Sequence, residues 1–309
     1  SKQLSGIVNG IDYNVYNPKT DKDIAVNYSV EDAIKAKAAN KTALQKELGL
    51  EENPDAFMLG IVSRLTDQKG LDLVECVLDQ ICAEDVQLVV LGTGEGKYQD
   101  MFTYYSRKYP ERVSANIFYS EALSHRIYAS CDAFLMPSLF EPCGLSQLMS
   151  LRYGTLPIVR ETGGLRDTVT PYNEVDGTGT GFSFTNYNAH EMLAIIRYAK
   201  KTYFNDRKAW NEMVLRAMKQ DFSWDASARE YEKLYDGLIE EEERRKEAIR
   251  LQQAREAAEA ALKEAEKALE LAKRAEEKAI RKFSGIEDEP EDEKAEISKA
   301  EEIDFLLAS

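Results

Sequence analysis

Between residues 57 and 184 short apolar runs recur, and the stretches between them carry apolar residues at helical spacing. Phe57–Ser63, Val86–Leu91, Arg112–Phe118, Ala133–Met136, Thr155–Val159 and Gly181–Phe184 read as strands. Leu71–Cys82 reads as a helix, with Leu71, Val74, Leu78 and Ile81 along one face, and Lys97–Lys108 and Ser124–Ser130 read as two more. A further helix is expected over residues 30–48, with Asn40, Lys41 and Gln45 at polar positions and Gly49 closing it. Strands that are apolar throughout, alternating with helices, predict an α/β fold: a Rossmann-like, doubly wound parallel sheet. From Ala189 the pattern is mostly helical, and Phe222–Ala226 contains a helix start with Ser223 as its N-cap.

The pattern changes after residue 239. Residues 240–282 are rich in Ala, Glu, Lys and Arg and contain neither Gly nor Pro, which predicts a long helix continuous with the one that begins near Trp224. Forty-three residues would span about 65 Å. Glu241–Arg245, Glu242–Lys246, Glu259–Lys263 and Glu277–Arg281 stand at the favourable i,i+4 spacing. Leu262, Ala265, Leu269, Ala272, Ala279 and Phe283 trace a heptad-like seam, interrupted at Glu276. Alanines fill such a seam too thinly for a strong coiled coil, so a solvated single helix is the first expectation. Self-association through residues 240–283 and docking on a partner are the alternatives. Residues 284–309 are acidic, hold Gly285 and Pro290, and read as a disordered tail with an apolar end at Phe305-Leu306-Leu307.

The 309 residues carry a net charge of −15, of which −8 falls from Glu240 onward, where 22 acids face 14 bases. An acidic balance argues against nucleic acid as a partner. No apolar run approaches the ~18 residues a membrane span needs, and there is neither a starting Met nor a signal peptide. Cys76, Cys82, Cys131 and Cys143 show no CxxC spacing and no accompanying His cluster, so no metal site is expected and the thiols read as reduced, in a cytoplasmic setting. His125 and His190 are the only histidines; His125 reads as structural or adjacent to a bound base, and His190 as a surface residue.

Candidate chemistry gathers where strands end. Pro137–Gln147 follows the run Ala133–Met136, so Glu141 and Gly144 fall on a strand-to-helix turn, where open parallel sheets bind ligands. The start of the helix that follows offers free N–H groups to a phosphate. A carboxylate there would repel phosphate, so Glu141 is expected to face something else, such as a sugar hydroxyl. Arg64 and Lys69 follow the first strand on a loop, where two cations can neutralise a leaving diphosphate without a metal. Tyr119, at the end of the third strand, could stack on a base or pack into the core. Gly92-Thr93-Gly94 reads as a structural turn near the site.

Phe140-Glu141-Pro142-Cys143-Gly144-Leu145, with Ser63–Gly70 upstream and Thr162–Val169 downstream, resembles bacterial glycogen synthase and plant starch synthase, retaining glucosyltransferases of the GT-B type. The resemblance runs from about Gly6 to Leu238 and covers the family's C-terminal half, so the chain reads as a fragment. It implies a connector over residues 1–30, a donor-nucleotide domain over 31–239, and ADP-glucose as donor to the non-reducing end of an α-1,4-glucan, with no cofactor. It implies that Arg64 and Lys69 bind the diphosphate and that Glu141 contacts donor-glucose hydroxyls and favours the developing positive charge. It puts Tyr119 against adenine, the N–H groups of Cys143, Gly144 and Leu145 on phosphate or sugar, and Thr162 and Gly163 near the donor. The second Glu that many related enzymes use for ribose is Met149 here. The acceptor loop, catalytic Asp and glucan surface of the family's other half have no counterpart in these residues, so the chain alone is expected to be inactive. The resemblance implies a cytoplasmic enzyme, or a plastid one in a plant. A related GT-B enzyme with another donor, and a non-catalytic assembly module, are the competing readings.

Overall fold

A computed structural model describes residues 4–285. Contacts divide the chain into two units, with the boundary between Lys233 and Leu234.

The first unit is built on six strands: β1 (Phe57–Val62), β2 (Val86–Leu91), β3 (Val113–Asn116), β4 (Ala133–Met136), β5 (Leu156–Arg160) and β6 (Phe182–Phe184). They lie in the order β3-β2-β1-β4-β5-β6, and every neighbouring pair is parallel. Among the described residues they are accompanied by α1 (Ala33–Leu48), α2 (Leu71–Ala83), α3 (Gly96–Lys108), α4 (Glu121–Ser130), α5 (Ser146–Arg152), α6 (Gly163–Thr168), α7 (Ala189–Asn205) and α8 (Arg207–Met218). This is the doubly wound α/β architecture that the alternating pattern predicts.

The strands are apolar throughout because both faces are covered. Leu88 and Val90 of β2 join a large cluster with Leu59 and Ile61 of β1, Val74 of α2 and Phe102 of α3. Val89 and Leu91 point to the other face, with Met58, Leu123, Ile127 and Cys131. Strand order reverses between β1 and β4, so a crevice opens at the carboxyl ends of these two neighbours.

Several boundaries differ from the expectation. Strand β3 ends at Asn116 rather than Phe118, so Tyr119 lies beyond the strand, on the loop into α4. That helix starts earlier than expected because Ser120 caps it, its hydroxyl accepting from the Leu123 N–H at 3.2 Å. The short helix α6 was not anticipated; its six residues are too few to show a helical period. In α1 the three polar positions are not solvated: Asn40 is 2%, Lys41 3% and Gln45 0% exposed. Lys41 donates to Asp132 at 2.6 Å and to the Ala56 carbonyl at 2.9 Å, and Gln45 donates to Gln87 at 2.7 Å. These side chains tie α1 to backbone and side chains at the amino ends of the strands, where carbonyl and carboxylate groups would otherwise be stranded.

The helix α9 runs from Trp224 to Phe283, 60 residues. The Ser223 hydroxyl accepts from the Ala226 N–H at 3.2 Å, the N-cap read from the sequence. In the second unit every described residue from Tyr235 on is exposed, the seam residues Leu262 and Leu269 included. The Glu242–Lys246 pair closes at 3.8 Å; Glu240–Arg244 and Glu270–Arg274, not read from the sequence, close at 3.6 and 3.8 Å. No helix of the described residues is long and apolar enough to cross a membrane. The acidic tail and its Phe305-Leu306-Leu307 end lie outside the described residues.

Candidate donor-nucleotide site

Two cavities adjoin at the carboxyl end of the sheet. The larger, about 300 Å³, is lined by residues following β1, β2 and β3, among them Arg64, Thr93, Phe118 and Tyr119. The smaller, about 200 Å³, lies between the loops after β1 and β4 and is lined by Arg64, Lys69, Pro137 and Ser138 among others. Val62, Ser63, Arg64 and Ser146 belong to both linings. The guanidinium-bearing residue therefore stands at the junction, where a two-part ligand would carry its linking group.

The loop after β1 is held by close backbone approach. Gly70 has φ +70°, and a Cβ there would lie 2.0 Å from the Pro137 carbonyl oxygen. Glycine thus lets the loop after β1 pack on the loop after β4. Asp67 bridges to Lys97 at 2.5 Å, and hydrogen bonds from Lys97 and Tyr98 hold its carboxyl below the usual range. The 3-10 turn Asp67–Lys69 delivers Lys69 inward, while Arg64 stays exposed and touches the Gln68 side chain at 3.4 Å.

Glu141 is buried and meets Lys69, Nζ to Oε2, at 2.6 Å. The Ser138 hydroxyl donates to the same carboxylate oxygen at 3.3 Å. So the carboxylate faces a cation of the neighbouring loop, a partner that sequence reading did not assign to it. Its own loop is pinned from below. Arg160, the last residue of β5, donates to the Ser138 and Leu139 carbonyls at 3.2 and 2.7 Å. The Gln147 amide donates to the Cys143 and Gly144 carbonyls at 3.0 and 3.1 Å. Gly163 has φ +44°, and a Cβ there would come 2.0 Å from the Glu141 carbonyl oxygen, so the loop after β5 rests directly on the Glu141 loop.

The remaining candidate residues fall into two groups. Tyr119 is 85% exposed at the mouth of the larger cavity, which removes core packing as its role. Cys143, Gly144, Leu145, Thr162 and Gly163 line neither cavity. Their loops interlock, with the Gly164 N–H donating to the Glu141 and Pro142 carbonyls at 3.1 and 3.2 Å. Gly92 makes a tight turn, a Cβ there falling 1.8 Å from the Ser63 carbonyl oxygen, and it also borders the larger cavity. His190 is exposed and His125 is 3% exposed.

Sequence reading missed Arg160, Ser138 and Gln147, which position the site, and Tyr16, Phe118 and Glu121, which line the larger cavity. Arg160 had a signal, a charge closing an otherwise apolar strand; Tyr16 was read only as part of the connector over residues 1–30, because its neighbours in space come from distant sequence. A third cavity, about 240 Å³, lies at the opposite, amino ends of β1 and β4. Its wall holds the Lys41–Asp132 ion pair together with Lys37, Asp55 and Arg207.

A family model described as Glycosyl transferases group 1 matches residues 41–214, more than half of the chain. The chain belongs to this family. It is 69% identical over 238 residues to a glycogen synthase of Lachnospira eligens, an alignment covering 77% of this chain and 50% of the relative. It is 63% identical over 235 residues to a glycogen synthase of Lachnoclostridium phytofermentans, covering 76% and 49%. The solved catalytic domain of starch synthase IV from Arabidopsis thaliana, bound to ADP and acarbose, matches with a TM-score of 0.71 and 36% identity over 76% of this chain and 49% of that one. The chain thus spans about half the length of the relatives it matches, and the residues matched by the family model lie within the α/β unit.

Proposed function

We propose that the α/β unit is the donor half of a glycogen or starch synthase, which moves glucose from ADP-glucose to the non-reducing end of an α-1,4-glucan with retention. The observation that carries this reading is the Lys69–Glu141 pair at the strand-order reversal, with Arg64 shared by the two adjoining cavities. The larger cavity takes the base and ribose, with Tyr119 stacked on the base. Arg64 and Lys69 take the diphosphate, and the smaller cavity takes the glucosyl end beside Glu141. The ADP bound by the starch synthase relative supports adenine as the base.

The chemistry follows from charge. As the glycosidic bond breaks, negative charge grows on the leaving diphosphate and positive charge on the sugar ring. Fixed cations at the first and a fixed carboxylate at the second lower the barrier most when they need not reorganise. Before donor binding, Lys69 and Glu141 neutralise each other at 2.6 Å. A diphosphate offers Lys69 a second anion, which frees Glu141 to accept from a sugar hydroxyl. No resident cofactor or metal enters this scheme, since the two cations carry the leaving-group charge. The four free thiols suit a reducing, cytoplasmic setting.

Catalysis needs donor and acceptor held together, and the acceptor surface belongs to the other half of such an enzyme. Residues 1–309 by themselves should therefore not incorporate labelled glucose into glycogen above a boiled control. Joined to the N-terminal half of the Lachnospira relative, they should. In that joined enzyme Arg64→Ala, Lys69→Ala and Glu141→Ala should each lower turnover by about 10²–10³. A Glu141→Ala enzyme within about threefold of wild type would remove Glu141 from the reaction.

A further inference from the structure

Tyr16 lies ahead of α1, in a segment that gives the sheet no strand, yet it lines the larger cavity with Phe118, Tyr119 and Tyr128. Its ring is stacked on His125, centroids 4.8 Å apart and planes 24° from parallel. His125 is itself fixed: Nδ1 lies 2.7 Å from Asp21 Oδ2, and the Tyr153 hydroxyl donates to that same oxygen. Asp21 belongs to the segment that carries Tyr16, and its N–H donates to the Asn17 carbonyl at 2.9 Å. The segment therefore holds His125 of α4 by two contacts, ring on ring and carboxylate on imidazole.

Other roles for this cluster fit less well. Asp21, Asp23 and His125 can bring ligand atoms within 4.8 Å of one another. But Asp23 is exposed, and the Asp21 oxygen nearest the ring is already occupied by two partners. A proton relay to ligand would need His125 in the cavity wall, and it is not there; only Tyr16 in front of it is. With Nδ1–H given to the carboxylate, Nε2 is left as an acceptor, buried and without a partner. What the pair can do is set the height and tilt of the aromatic ring stacked on it.

We infer that Tyr16 is a second aromatic wall of the base end of the donor site, opposite in origin to Tyr119, and that the Asp21–His125 pair is its positioning device. This rests on the donor-site reading above. Binding a base at that wall would also hold the segment ahead of α1 against the α/β unit.

The test is calorimetric titration of the full chain with ADP and, separately, with pyrophosphate, which has the phosphates but no base. Tyr16→Ala should weaken ADP roughly tenfold, the order expected for losing one aromatic stacking partner, and leave pyrophosphate unchanged. Tyr16→Leu, which keeps apolar bulk and guards against misfolding, should do the same, and Tyr16→Phe should bind ADP as wild type does. His125→Ala should weaken ADP by about threefold, a fraction of the stacking loss, again without effect on pyrophosphate. Wild-type ADP affinity in Tyr16→Ala, or equal losses for ADP and pyrophosphate, would overturn the wall while leaving the donor site standing. Wild-type affinity in His125→Ala would overturn the positioning role. No ADP binding by the unmodified chain would overturn the donor reading and the wall together.

Discussion

The sheet unit and the long helix hold their shapes by opposite means. In the sheet unit, β2 and β4 are buried at every residue, and side chains such as Lys41 and Tyr153 bond to groups about a hundred residues away in sequence. In the helix beyond Tyr235 every described residue is exposed, and the pairs Glu240–Arg244, Glu242–Lys246 and Glu270–Arg274 each join residues four apart. One fold is made of distant contacts that fail together; the other is a sum of small local terms. The difference also locates chemistry. A buried carboxylate facing a lysine 72 residues away, as Glu141 faces Lys69, needs the first kind of structure.

The contrast is broken most severely by a core truncation. Phe134 is fully buried in β4, and Phe134→Ala should cost about 3–5 kcal/mol in urea or guanidinium unfolding. Leu269→Ala, on the exposed helix, should change the same curve by less than about 0.5 kcal/mol. Equal losses would mean that the helix has a buried partner. Next comes the buried pair under α1. Lys41→Met leaves Asp132 with the Met58 N–H at 2.8 Å but without its ion-pair partner, and should cost about 3 kcal/mol, since removing one partner strands the other charge.

A pH effect follows from Asp21. Burial works against its ionised form, but hydrogen bonds from His125, Tyr153 and the Asp23 N–H outweigh burial and hold its carboxyl below the usual range. The unfolded chain therefore binds more protons in acid. The contribution is complete above about pH 4, the ordinary carboxylate range, and is lost as pH falls through the lowered folded value. Thermal unfolding of Asp21→Asn should show a flatter acid limb than wild type; an unchanged limb would remove Asp21 from the balance. The smallest effect belongs to the helix. Glu242→Gln should lower the helicity of a 240–283 peptide by an amount worth about 0.2–0.5 kcal/mol. A steep rise of helicity with concentration would point to self-association along Leu262 and Leu269.

How far these features could be read from sequence follows the same division. The strands, their alternation with helices and the long helix were legible because each rests on local composition or period. So were Lys69, Glu141 and Arg64 as candidates, since each sits on a loop after an apolar strand. The pairing of Lys69 with Glu141 was not, because a carboxylate on a turn says nothing of which loop will face it. Nor were the buried Asn40, which bonds to the Val26 backbone, and the buried Lys41 and Gln45, which reach Asp132 and Gln87 at the amino ends of the strands. Tyr119 was placed at the end of a strand because the run reads on through Phe118, whereas β3 pairs with β2 only as far as Asn116.

The central claim, that the α/β unit is a binding site for an adenine nucleotide, is tested most directly by titrating the chain with ADP and with UDP side by side in a calorimeter. Saturable ADP binding on the order of 10⁻⁴ M or weaker is expected, since these residues span about half the length of the relatives they match. UDP binding should be several-fold weaker, because a pyrimidine presents less surface to Tyr119. UDP bound as tightly as ADP, or neither nucleotide bound at all, would contradict the claim.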